Sequence, residues 1–348
     1  MDLSNELINW YLKNKRKLPW RDTDNPYIIW LSEIILQQTR VEQGLPYFNK
    51  FLDNYPTVTD FANATEDDIL KLWQGLGYYS RGRNMLKTAK EVMEHYGGAF
   101  PVHYDELIKL KGIGEYTAAA ISSFAANEAK AVVDGNVYRV LARFYGIDEP
   151  INSTKGKKLF QNLANDVLNQ QHSGLHNQAM MEFGALHCKA QKPLCATCPI
   201  GLSCQALKNN TITSLPVKLK KLKIKERFFT YFLIIENDRI LMNKRSDRDI
   251  WANMFDLPLI ESPNELWADE LLILPEFKQY FGEHIKIGKT GTMQKHILTH
   301  QRLFVKIIQL KSIPIVMKKD WFFVPISNLQ ELALPKIVDL LLRQILAF

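Results

Sequence analysis

Cysteine is scarce in this chain, and what there is sits in one place. The 348 residues hold four cysteines. All lie within "CKAQKPLCATCPIGLSC", as Cys188, Cys195, Cys198 and Cys204. So thin a supply excludes a small disulfide-stapled scaffold. Long apolar runs are missing too. None approaches the roughly 18–20 residues of a membrane span, so no membrane partner is expected. The opening "MDLSNELINWYLKNKRKLPW" lacks the short apolar core of a signal peptide, and a cytoplasmic location is the expectation. Internal repeats and long low-complexity stretches are absent as well.

What is present is ordinary in bulk. Apolar residues make up 46% and charged residues 23%, as in a soluble globular protein. The length fits two or three domains. The net charge of +7 is compatible with nucleic acid or an acidic surface and singles out neither.

The cysteines follow the spacing C-x6-C-x2-C-x5-C. Two disulfides fit a reducing cytosol poorly, so a four-thiolate metal site is the better reading. Zinc and an iron–sulfur cluster each take four thiolates, and the spacing leaves both open.

From Met1 to about Asn210 the periodicity is helical, as in "WLSEIILQQTRVEQGLPYFNKFL" and "VYRVLARFYG". Lysine-dense "PVKLKKLKIKER", Pro216 to Arg227, reads as a tether between domains. Beyond it, "RFFTYFLIIENDRILMNKR" predicts a hairpin about its "END" turn. "THQRLFVKIIQL" and "DWFFVPI" predict further strands, and "ALPKIVDLLLRQILAF" an amphipathic helix after Pro335. The expected division is a helical domain over 1–212, a basic linker over 213–227 and an α+β domain over 228–348.

Three places carry candidate chemistry. In "IKLKGIGEYTAAAI", Gly112 and Gly114 predict a tight hairpin opening a helix. Such a place presents unpaired N–H groups that suit a phosphate, and equally it could be a plain loop. Glu33 stands among apolar neighbours in "IIWLSEIILQQT". Burial would hold its carboxyl protonated, as a general acid needs; the alternative is a partly solvated Glu in a first helical turn. Asp134 ends an apolar run in "KAVVDGNVYRVLARF", where it is a good N-cap. The N–H groups there would keep it ionised. One neutral and one charged carboxyl is a recurring acid/base arrangement, used in breaking glycosidic bonds.

Taken together, "LKGIGEYTA", "VVDGNV" and the four-cysteine loop resemble the helix–hairpin–helix DNA glycosylases. "LPWR", "WLSEIILQQT", "LWQGLGYYSRGRN", "VDGNVYRVLARF" and "NQAMMEFGALHC" narrow the resemblance to adenine DNA glycosylases of the MutY type, over Arg16 to Cys204. The resemblance implies an all-α helix–hairpin–helix glycosylase domain with an iron–sulfur loop, followed by an α+β Nudix-like domain. It implies a 4Fe–4S cluster on the four cysteines. It implies a monomer acting on double-stranded DNA with adenine opposite 8-oxoguanine or guanine.

By the same resemblance Glu33 protonates the adenine and Asp134 stabilises the sugar cation, with Tyr116 and Asn136 supporting them. Gly112 and Gly114 hold a phosphate. Gln38 and Tyr78 wedge into the duplex, and Trp20, Arg21 and Gln178 form the adenine pocket. Tyr116 stands where the endonuclease III type has a lysine, and a phenol cannot form the iminium of a lyase. Nearby Lys111 could permit weak adventitious cleavage. In the second domain "HILTHQ" matches the lesion-reading loop at Thr299 and His300, with Leu298 replacing an aromatic. No GxxxxxE…REUxEE pattern is present, so pyrophosphate hydrolysis is not expected. The competing readings are an endonuclease III-type glycosylase/lyase, a non-enzymatic DNA-binding protein and a ferredoxin. Tyr116 and the long second domain, the pair Glu33 and Asp134, and the length with its hairpin oppose them in turn.

Overall fold

The computed structural model describes residues 2–219, 224–247, 249–282, 285–298, 300–311 and 317–346. Met1–Ala64 and Asn84–Lys221 form one compact unit, and Thr65–Arg83 with Leu222–Phe348 the other. Among the described residues no helix is long and apolar enough to cross a membrane.

The first unit is built of helices, and among its described residues there is no strand. Local chemistry starts the ones that matter. Asn25 accepts from the N–H groups of Tyr27 and Ile28, and Pro26 follows, so helix Pro26–Leu36 begins there. Asp134 caps helix Gly135–Tyr145 in the same way, accepting from Asn136 and Val137. Helix Ser173–Leu186 packs against Leu3–Asn14, Gly135–Tyr145 and Glu115–Ala126, and Glu115–Ala126 packs on Pro26–Leu36. Leu7, Tyr11, Leu141 and Phe183 are buried where three of these elements meet, together with Phe160 of helix Thr154–Asp166.

Helix Pro26–Leu36 is apolar on nearly every side, so it has to sit centrally. Ile29, Trp30, Leu31 and Ile35 are all within 1% of full burial. Each such side chain contributes roughly 1.5–3 kcal/mol. That is ample to offset the cost of the one carboxyl the helix carries inward, Glu33.

In the second unit, strand β1 runs Lys225–Leu233, β2 Ile235–Glu236, β3 Arg239–Lys244, β4 Phe255–Asp256 and β5 Leu259–Ser262. Then come β6 Lys286–Thr290, β7 Gln294–Ile297, β8 Gln301–Lys311 and β9 Trp321–Pro325. One sheet has the order β5-β1-β8-β6, with β7 also on β8; the other is β2-β3-β4, with β9 on β3. β1 and β8 are parallel, Lys225 opposite Gln301. Helix Lys336–Leu346 closes the unit, as its amphipathic pattern predicts.

The structure corrects the expected hairpin. Asn237 and Asp238 do turn the chain, both at positive φ. The turn joins only two-residue β2 to β3, however. β1 pairs with β5 and β8 instead, because its own run is buried on both faces and needs partners on both edges. Lys225–Arg227, the end of the expected linker, belong to β1. Arg227 is buried and forked between Asp249 and Glu261, with Nη2 2.6 Å from an oxygen of each.

Segment Thr65–Arg83 lies within the expected helical domain but is compact with the second unit. Arg83 Nη1 donates to Ala252 O at 2.9 Å, and Asn253 Nδ2 to Glu66 Oε1 at 2.7 Å.

Candidate active site

Glu33 is the eighth residue of an eleven-residue helix, so it stands in the last turn. That disposes of the solvated first-turn reading. The C-terminal end of the helix dipole there disfavours a negative charge. The side chain is buried, and Tyr116 Oη donates to its Oε2 at 2.8 Å. Burial raises the carboxyl from 4.5 to about 7; the nearby Asp134 charge adds to this, while Tyr116 and Arg21 oppose it. Tyr116 is itself pushed well above the ordinary phenol value by burial and by both carboxylates, so it remains a donor.

Asp134 lies differently. Its Oδ1 accepts from Asn136 N and Val137 N, each at 2.8 Å, and its Oδ2 from Asn136 Nδ2 at 2.7 Å. Burial raises this carboxyl too, and the Val137 and Asn136 donors with the Arg139 charge pull it back. The expectation that the N–H groups alone would hold it low is therefore too simple. What separates the two acids is the number of donors each accepts from, three against one. Asn136 is held in turn by Arg139, whose Nη2 donates to its Oδ1 at 2.8 Å.

Both acids face one open cleft of about 1060 Å³, roomy enough for a nucleotide turned out of a duplex. Tyr116, Asn136, Trp20, Arg21, Gln38 and Gln178 line it as well. Trp20 is buried edge-on to Phe48, with ring centroids 4.9 Å apart. Gln178 accepts from Tyr11 Oη at 2.5 Å.

The hairpin takes the shape its sequence predicts, though its glycines differ. Gly112 has φ +82°, and a Cβ there would lie 2.7 Å from Asn84 Cβ. Gly114 has φ −95° and serves as N-cap of helix Glu115–Ala126, with no side chain capping that end. A Cβ on Gly114 would meet no protein atom within 4 Å. The fold therefore requires Gly112 itself and leaves the space over Gly114 open. Lys111 is exposed and is not among the residues lining the cleft, whereas Lys189 is.

Gln38 and Tyr78 are exposed and both left-handed, at φ 57° and 49°. Such backbone costs of order 1–3 kcal/mol and collects at functional positions. Tyr78 belongs to the second unit, where the Arg81 guanidinium lies 5.7 Å from its ring and donates to Gly77 O at 3.2 Å. In the same unit, Leu298 directly follows β7 and His300 directly precedes β8. Leu298 N donates to Gln301 O at 2.9 Å and His300 is exposed. Thr299 lies outside the described residues.

Cys188, Cys195, Cys198 and Cys204 all line one small cavity walled by Val140, Phe183, Ile200 and Leu207. None is disulfide-bonded. Burial pushes the Cys198 thiol up to about 11, and the other three cysteines add to the rise. Four thiolates there need a cationic centre. Among the described residues no group of three or more ligands is drawn together as one bound ion requires. Arg143 braces the loop, donating to Lys189 O at 2.7 Å.

Sequence reasoning missed Glu182, Arg16 and Tyr11. Glu182 is buried and accepts from both Arg16 and Arg21. An acid inside the apolar run "QAMMEFGAL" carries the same mark that singled out Glu33, and could have been found by it.

The family model "HhH-GPD superfamily base excision DNA repair protein" matches residues 31–166, and that of the NUDIX domain matches residues 230–344. Fold and cleft together define a helix–hairpin–helix base-excision DNA glycosylase with a Nudix-like unit after it. A solved thermostable thymine-DNA glycosylase aligns with TM-score 0.55 at 26% identity, over 59% of this chain and 95% of that one. The chain is 36% identical over 308 residues to the adenine DNA glycosylase of Buchnera aphidicola subsp. Baizongia pistaciae, covering 87% of this chain and 84% of that. To the adenine DNA glycosylase of Homo sapiens it is 42% identical over 209 residues, 58% of this chain and 38% of that one. The chain belongs to the adenine DNA glycosylase family, whose members are DNA N-glycosylases.

Proposed function

We propose that this chain is a monofunctional glycosylase that hydrolyses the N-glycosidic bond of adenine mispaired with 8-oxoguanine or guanine. The observation that carries the reading is the pair in the cleft: Glu33 raised to about 7 and hydrogen-bonded by Tyr116, beside Asp134 with its three donors. Protonated Glu33 gives its proton to a ring nitrogen of the extruded adenine. The bond from C1′ to the base then breaks, and its electron pair leaves with the base. The sugar becomes oxocarbenium-like, and the Asp134 carboxylate stabilises that charge. Water adds at C1′ and passes a proton to the Glu33 carboxylate, which restores the acid and leaves an abasic site. Tyr116 and Asn136 hold the two acids in place; neither offers an amine, which supports release without strand cleavage.

Trp20, Arg21 and Gln178 fit the base pocket. Gln38 and Tyr78, exposed and strained, fit the wedge. The uncapped helix end behind Gly114 fits a phosphate oxygen. Thr299 and His300 remain the proposed lesion readers. The four cysteines would hold a 4Fe–4S cluster; that all four line one small, largely apolar cavity supports it. Such a cluster supplies a covalent staple for residues 188–204. It also suits the reducing cytoplasm. One chain carries the whole pocket, so a monomer suffices.

The test is a labelled duplex with adenine opposite 8-oxoguanine, incubated with protein and split with and without hot alkali. Breakage at the adenine only after alkali is expected. Breakage without alkali would favour the lyase reading, and intact strands in both arms would favour a non-enzymatic binder.

A further inference from the structure

Two strained turns of the second unit are joined to each other. One is the Tyr78 loop, where Gly75, Gly77 and Tyr78 all have positive φ. The other is the turn at 251–253, where Trp251 has φ 58° and Asn253 φ 61°. Bulky side chains seldom take that conformation, and it persists only where the surroundings over-determine it. Arg245 does so here. Its Nε donates to Ile250 O at 3.0 Å and its N to Met254 O at 2.9 Å, while its O accepts from Asn253 N at 3.2 Å. The Tyr78 loop is pinned from within, Trp73 Nε1 donating to Gly77 O at 2.9 Å.

The join itself is made of two partly buried hydrogen bonds. Asn253 Nδ2 donates to Glu66 Oε1 at 2.7 Å, at the start of helix Glu66–Leu72. Arg83 Nη1 donates to Ala252 O at 2.9 Å, in the first turn of helix Ser80–Tyr96. A third contact, Lys244 with Asp67 at 3.8 Å, is half-exposed on both sides and contributes little. The turn at 251–253 thus grips the helix that enters the Tyr78 loop and the helix that leaves it. It also reaches β7. The Trp251 ring lies 6.0 Å from the ring of His296, the last residue but one of that strand, and Leu298 follows directly.

We propose that the turn at 251–253 couples the wedge to the lesion-reading segment, with Asn253 and Glu66 as positioning residues for Tyr78. The linkage rests on the roles proposed above for Tyr78 and His300. Neither positioning residue touches a reacting atom. Through them Tyr78 keeps its register with β7, so the wedge inserts correctly only when the opposite base is seated. The preference for 8-oxoguanine over guanine is thereby carried into base release. A join that merely held the helices against the sheet would leave that preference alone.

Asn253→Gly separates the two, because glycine keeps the left-handed backbone and removes only the amide. Single-turnover adenine release is measured opposite 8-oxoguanine and opposite guanine. The proteins are the native one, Asn253→Gly, Tyr78→Ala and the double variant, with thermal unfolding followed alongside. Asn253→Gly is expected to lower the ratio of the two rates about fivefold, a usual size for coupling through packed contacts. Its unfolding temperature is expected to stay within about 3 °C of the native value. In the Tyr78→Ala background the same substitution is expected to leave the ratio unchanged. An unchanged ratio in Asn253→Gly, or an equal fall in both backgrounds, overturns the proposal. If Asn253→Gly does not fold, Glu66→Ala removes the acceptor from the other side, and the same outcomes decide. A native protein that releases adenine equally from both duplexes defeats the lesion reading, and one that releases none defeats the reading of the cleft; either takes the proposal with it. An active and selective protein with an additive cycle defeats the linkage alone.

Discussion

Replacing Glu33 with Gln should abolish base release and at the same time make the protein more stable above neutrality. In the unfolded chain this carboxyl titrates near 4.5, and in the native one near 7. Below about pH 4.5 both states are protonated and the residue is neutral in its effect. Between about 4.5 and 7 the unfolded chain gives up its proton while the native one keeps it, so stability falls as pH rises through that window. Above about 7 the loss is complete. At roughly 1.4 kcal/mol for each pH unit between the two values, it reaches about 3 kcal/mol. The side chain is buried, so solvent screening takes little from this. A glutamine has no proton to lose, and Tyr116 Oη can still donate to its carbonyl. Urea unfolding of the native protein and Glu33→Gln should therefore coincide near pH 4.5 and diverge by up to about 3 kcal/mol at pH 8. Single-turnover base release by the native protein should in parallel fall about tenfold per unit above pH 7, as the acid form is lost. Coincident unfolding curves at both pH values would refute the reasoning, for they would mean that Glu33 is solvated and ionised throughout.

Gly112→Ala should destabilise by about 1–3 kcal/mol, from its positive φ and the contact with Asn84, as read by thermal unfolding. Gly114→Ala should leave stability within about 0.5 kcal/mol and weaken duplex binding, because only a ligand fills that space; normal binding would show that no phosphate approaches there. Cys198→Ser should lose the broad visible absorbance of a cluster, and a colourless native protein would remove the cluster altogether. Any adduct that borohydride traps with the abasic product should disappear in Lys189→Ala and persist in Lys111→Ala, since Lys189 alone of the two lines the cleft; mass spectrometry of the adduct decides it.

How much of this was legible in the sequence depended on distance along the chain. Caps and turns were readable because their causes are local: Asn136 and Val137 reach Asp134 across two and three residues, and Asn237 with Asp238 turns β2 into β3. Strand pairing was not readable. The turn at 237–238 suggests that the strands flanking it pair throughout. Nothing local reveals that β1 finds its parallel partner in β8, with Phe228 opposite Phe304.

The site divides on the same line. A buried acid announces itself by apolar neighbours, and so Glu33 could be found and Glu182 could have been. Its partner does not announce itself. Tyr116 lies 83 residues from Glu33, and Arg21 lies 161 residues from Glu182. What such pairs decide is the state of the group, not its identity. The sequence makes Glu33 a candidate acid; burial, with the closeness of Asp134 and against the pull of Tyr116 and Arg21, leaves it poised near neutrality. Glu182 is the counterexample: also buried, also flanked by apolar residues, and driven the opposite way because two arginines arrive from the other end of the unit. Two carboxyls with the same local pattern thus end about five pH units apart, near 7 and near 2. Only the one left short of donors is free to act as an acid.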